Sequence, residues 1–173
     1  MKQKVILYMA TTANGYIAKE NDETPWSDVI WSGYYDFVKK RGNIILGKRT
    51  YELMKEVNEF EKLGFPITVV VSSTAENKSD ENTIFVSSPK EALAVMKEKR
   101  VSEIVVGGGS TLNAGFFKEG LLDEIYLDVD PWLFGKGIKL FADNDADAKL
   151  KLIEVSKLSE NTIRLHYEVE KRI

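Results

Sequence analysis

The stretch Glu103–Phe117, EIVVGGGSTLNAGFF, decides how the chain is read. Ile104, Val105 and Val106 are consecutive β-formers, a run suited to a buried strand. Gly107, Gly108 and Gly109 follow at once, then Ser110 and Thr111, with Leu112 and Phe116 at helical i, i+4 spacing. The spacing predicts strand, glycine turn and helix, with Ser110 or Thr111 as N-cap and Gly120 as the stop. Glycines let backbone approach a ligand closely and take up positive φ. The first turn of the helix offers free N–H groups and the positive end of the helix dipole. Such a junction suits an anion, phosphate above all. The plain alternative is a tight turn with no ligand. The pattern is neither the spaced GxGxxG fingerprint nor a P-loop, because no Gly-Lys-Ser/Thr follows.

The same logic appears upstream. Asn43–Leu46 reads as a short strand, and Gly47, Lys48, Arg49 and Thr50 open a helix with Leu53 and Val57 four apart. Two cations at a helix N-terminus are unfavourable unless an anion sits there. The alternative is a pair of solvated surface charges. A third strand, Pro66–Val71, ends in Ser72-Ser73. In an open α/β sheet, ligands bind at the carboxyl ends of the strands. Three such ends suit one extended ligand with several phosphates, such as a dinucleotide. Lys48, Arg49, Ser72 and Ser73 suit an extra ribose phosphate, which favours NADPH over NADH.

The remaining elements fit around these ends. Lys4–Ala10 reads as the first strand, followed by a long polar stretch through Asn14-Gly15 to Pro25, of a length that tends to be functional. Ser27 N-caps a helix to about Arg41, with Trp31, Tyr35 and Val38 close to one face and Tyr34 beside them. Thr74–Asn82 reads as a polar loop, and Thr83–Ser87 as a strand. Ser88-Pro89-Lys90-Glu91 is a capping box with proline at N1, opening a structural helix to about Arg100. Asp123–Asp130 alternates, with Ile125, Leu127 and Val129 on one face and Glu124, Tyr126, Asp128 and Asp130 on the other. Pro131, Gly135 and Gly137 mark an irregular connection. Leu150–Val155 and Thr162–Val169 form a hairpin whose polar face carries Arg164, His166 and Glu168, with His166 read as a surface residue. The class is α/β, with a mostly parallel sheet and an antiparallel C-terminal edge.

Composition bounds the function. The chain has 173 residues, 43% apolar and 29% charged, with net charge −3, and residues 1–173 read as one domain. That charge balance argues against nucleic acid as a partner. With no cysteine and one histidine, disulfides, a thiol nucleophile, thiolate metal sites and a His-rich metal site are excluded. Lys2 and Lys4 precede an apolar run, but Tyr8, Thr11 and Thr12 break it, so a buried strand is the better reading than a signal peptide. No run reaches membrane-spanning length, and the expectation is a cytoplasmic protein with a small-molecule substrate. The C-terminal strands are the candidate surface for a homodimer.

The ordered set of motifs resembles the dihydrofolate reductase-like superfamily. The closer resemblance is to the reductase domain at the C-terminus of the bifunctional deaminase-reductase of riboflavin biosynthesis. It is carried by Asn14–Ala18 (NGYIA), Leu46–Glu52 (LGKRTYE), Val71-Ser72-Ser73, Gly107–Leu112 (GGGSTL), and Leu121–Ile125 (LLDEI) with Pro131, Gly135 and Gly137. The resemblance implies a central sheet of about eight strands flanked by about four helices, with NADPH across the strand ends. It assigns the pyrophosphate or ribose phosphate to Gly47–Thr50, and the adenosine end to Ser72 and Ser73. The nicotinamide-side pyrophosphate goes to Gly107–Leu112 (Gly107, Gly108, Gly109, Ser110, Thr111 and Leu112). It also implies a cis peptide at Gly107-Gly108 or Gly108-Gly109, and Ala10 and Ile17 packing on the nicotinamide. The chain departs from dihydrofolate reductases in two places. No aspartate aligns with their pterin-binding acid on the first helix, and Asp128 stands where they carry a threonine.

The expected activity is hydride transfer to a C=N or C=O carbon of a small heterocycle, pteridine- or pyrimidine-like. No histidine is placed for proton delivery, which leaves a carboxylate or water. Asp36, Asp28 and Asp128 are the candidates. Their plain alternatives are a pair with Lys40, a favourable charge at a helix N-terminus, and a solvated strand face. Trp26, Trp31 and Tyr35 are candidates to stack on a flat substrate, against a core role. The competing functional reading is a non-catalytic nucleotide-binding module or sensor on the same fold.

Overall fold

Strand β1 (Lys4–Thr12) lies inside the sheet and fixes the layering. Its alternate residues face two different cores, because side chains alternate across a strand. Val5 and Leu7 join one cluster with Ile104, Val106, Leu112 and Phe116. Ile6 and Tyr8 join the other with Phe37, Val38, Ile44 and Leu46. A strand buried on both faces reads as the continuous apolar run that opens the chain.

The structure is a computed structural model and describes residues 2–74 and 82–170. After β1 come β2 (Tyr16–Ala18), α1 (Asp28–Arg41), β3 (Asn43–Gly47), α2 (Lys48–Glu56), α3 (Glu59–Lys62) and β4 (Ile67–Val71). They are followed by β5 (Thr83–Val86), α4 (Pro89–Glu98), β6 (Glu103–Val106), α5 (Ser110–Lys118) and β7 (Glu124–Asp130). The chain closes with β8 (Ile138–Lys139), β9 (Leu150–Lys157) and β10 (Ile163–Val169). Eight strands form one sheet in the order β5-β4-β3-β6-β1-β7-β10-β9. Pairing is parallel from β5 through β7 and antiparallel for β7–β10 and β10–β9. This is the mostly parallel sheet with an antiparallel C-terminal edge that the sequence predicts. Helix α3, a single turn, comes in addition to four longer helices.

Several local expectations are corrected. The N-cap of α5 is Gly109, not Ser110 or Thr111, and it makes no side-chain cap bond. Ser27 occupies the N-cap position of α1, but its hydroxyl donates to Asp130 at 2.8 Å instead of capping the helix. At α4, Ser88 Oγ accepts from the Glu91 N–H, but the Glu91 carboxylate accepts from the Ser87 N–H, one residue before the capping-box position. The connection around Gly137 carries strand β8, which pairs with β2 in a second, two-stranded sheet. His166 is not a surface bystander. Its ring stacks on Tyr126 with centroids 3.9 Å apart, and its Nε2 lies 2.9 Å from Glu124 Oε2. Of the predicted polar loop, residues 75–81 lie outside the described residues.

Candidate active site

The sheet order brings the three predicted strand ends together. β4, β3 and β6 are consecutive neighbours, so Ser72, Gly47 and Gly107 leave the same edge of the sheet side by side. Gly47 N–H donates to Gly108 O at 2.8 Å, tying the start of α2 to the glycine turn before α5. Gly108 takes φ of 93°, and the Gly108-Gly109 peptide is cis. A side chain has little room here. A Cβ on Gly107 would lie 2.7 Å from Ile44 Cδ1, and one on Gly109 would lie 3.2 Å from Thr50 Oγ1.

Helices α2 and α5 start at this edge in an unusual electrostatic state. Both have glycine N-caps, neither has a side-chain cap bond, and neither has an acidic residue in its first turn. By contrast α1 carries Asp28 and α4 carries the Ser88 cap and Glu91. Among the described residues, neither helix start has the side-chain cap that normally takes a first-turn N–H. Lys48 and Arg49 add positive charge in the first turn of α2. Lys48 Nζ donates to Thr74 Oγ1 at 3.1 Å, and Thr74 Oγ1 lies 3.0 Å from the buried Ser72 Oγ. Ser73 and Thr111 are exposed, Ser110 is half-buried and Leu112 is buried. Arg49 is bound to Asp22, a non-glycine residue at φ 68° in the connection between β2 and α1.

Next to this edge, beneath α1, lies a second polar group that sequence reasoning did not assemble. Ala10 of β1 pairs with Asp128 of β7, and Asp128 pairs with Arg164 of β10. Arg164 Nε donates to Asp128 Oδ1 at 2.6 Å, and Arg164 Nη2 donates to Asp128 Oδ2 at 2.8 Å and to the Tyr8 hydroxyl oxygen at 2.9 Å. The Tyr8 hydroxyl donates to Asp128 Oδ2. Asp128 is fully buried, so its alternative as a solvated strand face is overturned. Burial, then the negative charge of Asp128, pushes the Tyr8 hydroxyl well above its ordinary titration range. The hydrogen bond to Asp128 does most to raise Arg164, against the cost of its burial. Gly33 of α1 permits this arrangement, since a Cβ there would lie 3.2 Å from Arg164 Nη2.

One residue pair further along the strands, Asp130 is also buried. Its Oδ1 accepts from Ser27 Oγ at 2.8 Å and Thr162 Oγ1 at 2.9 Å, and its Oδ2 accepts from the Ser27 N–H at 3.0 Å. These bonds tie the start of α1 to β7 and to the residue before β10. A cleft of about 370 Å³ opens beside them, lined by Pro25, Pro131, Trp132 and Asn161 among others.

The predicted aromatics divide. Trp26 stacks on Phe134 with centroids 6.2 Å apart, while Trp31 stacks on Tyr35 at 6.0 Å along α1. Tyr34 lies against Tyr8 at 5.9 Å. Ile17 is buried in β2, and Ala10 is half-buried in β1. Asp28 and Asp36 are exposed on α1. Of the three predicted carboxylates, the structure joins only Asp128 to the polar group under α1. The missed residues are Tyr8, Arg164, Asp130, Thr162 and Asp22. The available signal was opposite charge on the polar faces of two alternating strands, Asp128 and Arg164, but it needs the strand register to be read.

A family model described as the RibD C-terminal domain matches residues 3–164. The chain is 31% identical over 172 residues to the uncharacterized protein YwjB of Bacillus subtilis (strain 168), covering 96% of this chain and 98% of that protein. A putative riboflavin biosynthesis protein from Shewanella sp. PV-4 shares the fold at TM-score 0.81 and 20% identity, over 98% of this chain and 100% of that one. Dihydrofolate reductase from Enterococcus faecalis, complexed with NADP(H) and RAB-propyl, shares it at TM-score 0.67 and 20% identity, over 97% of both chains. The fold is thus dihydrofolate reductase-like.

Proposed function

We propose that this chain, which belongs to the RibD C-terminal domain family, is an NADPH-dependent reductase of a C=N or C=O bond in a small heterocycle. The observation that carries the reading is the pair of uncapped helix starts at Gly47 and Gly109, joined through Gly47 N–H and Gly108 O, with Lys48 and Arg49 in the first turn of one. These residues fit a dinucleotide. The N–H groups of two helix starts without side-chain caps match a pyrophosphate, and the glycines leave room for its close approach. Lys48, Arg49, Ser72 and Ser73 match an added ribose phosphate, which supports NADPH over NADH. The NADP(H) complex of the Enterococcus faecalis reductase on the same fold supports the same choice.

When bound, NADPH supplies the hydride. The chain's own residues do the rest. Ala10 and Ile17 provide the apolar surface for the nicotinamide end. Trp26 and Trp31 with Tyr35 provide flat faces for a heterocycle. Arg164 is one-fifth exposed, and its outward edge offers donors to a carbonyl or anionic group of the substrate. Asp128 accepts through both oxygens, so we assign it to holding Tyr8 and Arg164 and assign proton delivery to water. Asp28 and Asp36 take no part in the reaction in this account.

The same engagement of Asp128 favours a second reading, a module that binds the nucleotide without turnover. One experiment separates the two. Purified protein is titrated with NADPH, then mixed with NADPH and a panel of pteridine, pyrimidine and quinoid acceptors while reduced-nicotinamide absorbance is followed. Binding with oxidation supports the reductase. Binding without oxidation by any acceptor supports the non-catalytic module. Absence of binding overturns both.

A further inference from the structure

Three carboxylates are buried among the described residues: Asp128, Asp130 and Glu59. Asp128 and Asp130 each accept hydrogen bonds through both oxygens. Glu59, the first residue of α3, does not. It is 6% exposed, and its Oε1 is buried with no hydrogen-bond partner among the described residues. Its Oε2 lies 3.6 Å from Lys62 Nζ, beyond ordinary hydrogen-bond length. A carboxylate kept for structure normally spends its lone pairs on donors once it leaves water, because an unpaired buried oxygen is costly. Glu59 also stands at the end of a row of rings. Arg164 Cζ is 5.3 Å from the centre of the Tyr8 ring, and Tyr8 to Tyr34 and Tyr34 to Tyr35 are each 5.9 Å between centroids. Burial first, and Glu59 next, push the Tyr34 and Tyr35 hydroxyls above their ordinary values, which sets the carboxylate beside both.

We propose that Glu59, with the ring of Tyr35, holds an amidinium or guanidinium group carried on an arm of the substrate, beyond the heterocycle that Arg164 meets. The inference rests on the reading of Trp31 and Tyr35 as stacking faces for that substrate. The sign of the charge decides the class. A carboxylate beside aromatic faces attracts a cation and repels a phosphate or a second carboxylate. One carboxylate is too few ligands for a metal ion, and no group of three ligating side chains stands together among the described residues. Lys62 shows the same chemistry incompletely. Its ammonium lies 5.7 Å from the Tyr35 ring centre and beside Glu59 Oε2, but its side chain is 54% exposed and leaves Oε1 unpaired. A planar cation offers parallel N–H groups to both oxygens and lays a flat face on the ring, which a lysine ammonium does not. The long, half-exposed side chain of Lys62 swings outward to admit it.

The test uses phenylacetamidine, phenylacetamide and phenylacetate, which share one shape and differ in charge. Each is titrated against the full chain by ligand-observed nuclear magnetic resonance, with NADPH in excess. The amidine is expected to bind about tenfold more tightly than the amide, and the carboxylate most weakly. Glu59→Gln is expected to reduce the amidine's advantage to about twofold or less. Lys62→Ala, at an exposed position that leaves the core untouched, is expected to tighten the amidine about threefold by removing the resident cation. Equal binding of amidine and amide by wild type overturns the proposal. So does a preference that Glu59→Gln retains, or a Lys62→Ala variant that fails to tighten the amidine. A separate NADPH titration keeps the two readings apart. A protein that binds NADPH without the cation preference loses this site alone. One that binds no NADPH but still prefers the amidine through Glu59 loses the reductase reading and keeps this site.

Discussion

Arg164 and Asp128 face each other across β10 and β7 in direct register, joined by two hydrogen bonds of 2.6 and 2.8 Å. Asp128 is fully buried and the Arg164 side chain is 21% exposed. Removing one partner leaves a buried charge without compensation, which costs about 3–5 kcal/mol. Arg164→Met or Asp128→Asn is expected to lower the urea midpoint strongly. The double change Asp128→Leu/Arg164→Met is expected to recover much of the loss. A double change as damaging as the sum of the single ones would show that the two residues are not coupled.

Two nearby glycines make a contrasting pair. A Cβ on Gly137 would sit 2.5 Å from the backbone oxygen of Ala18, whereas one on Gly135 meets nothing within 4 Å. Gly137→Ala is expected to push β8 away from β2 and to destabilise by about 1–3 kcal/mol. Gly135→Ala is expected to be neutral or to stabilise by about 0.4–1 kcal/mol through the unfolded chain. Thermal melts of the two variants check the order.

Glu124 contributes an acid limb to the pH dependence of stability. Burial alone pushes Glu124 upward, but hydrogen bonds from Lys4 and His166 outweigh it and hold the carboxyl below its ordinary value of 4.5. A depressed folded value means the stabilisation is present above the unfolded value and is lost as pH falls through the folded one. Glu124→Gln is therefore expected to flatten the stability profile below about pH 4.5 relative to wild type. Parallel profiles in that range would contradict the assignment. Lys4, raised by the same contact, contributes on the alkaline side, and its stabilisation is lost as pH rises through its folded value.

Arg49 is 74% exposed on its side chain and is held by Asp22. A cofactor phosphate at the start of α2 would compete with Asp22 for that guanidinium. An exposed ion pair is worth no more than about 1 kcal/mol. Asp22→Asn is thus expected to tighten NADPH binding by up to about fivefold and to leave NADH unaffected. A variant that weakens NADPH would contradict the competition.

The fold was legible because its signals are local and repeated. Strand runs such as Val5–Met9 and Ile104–Val106 alternate with helices that open on Gly47, Ser88 and Gly109. Gly47, Ser72 and Gly107 mark the three strand ends that the sheet order brings together. The group under α1 was not legible, because Tyr8, Asp128 and Arg164 meet only once three strands are in register. The three-residue β2 and two-residue β8 are too short to show a period. His166 stood on a strand face that looked polar, and only the neighbouring Tyr126 and Glu124 explain its burial. Ser27 is legible as the start of a helix, but the buried Asp130 that takes its hydroxyl is distant in sequence.

The central claim is that the paired helix starts hold the phosphates of NADPH. Its most direct test is a titration of wild type and Lys48→Ala/Arg49→Ala with NADPH and NADH, read by nicotinamide fluorescence or calorimetry. Wild type is expected to bind NADPH at micromolar concentration and NADH more weakly. The double variant is expected to lose about tenfold for NADPH, some 1.4 kcal/mol, and little for NADH. Equal affinity for both nucleotides, unchanged in the variant, would contradict the placement of the ribose phosphate, and failure to bind either would contradict the account as a whole.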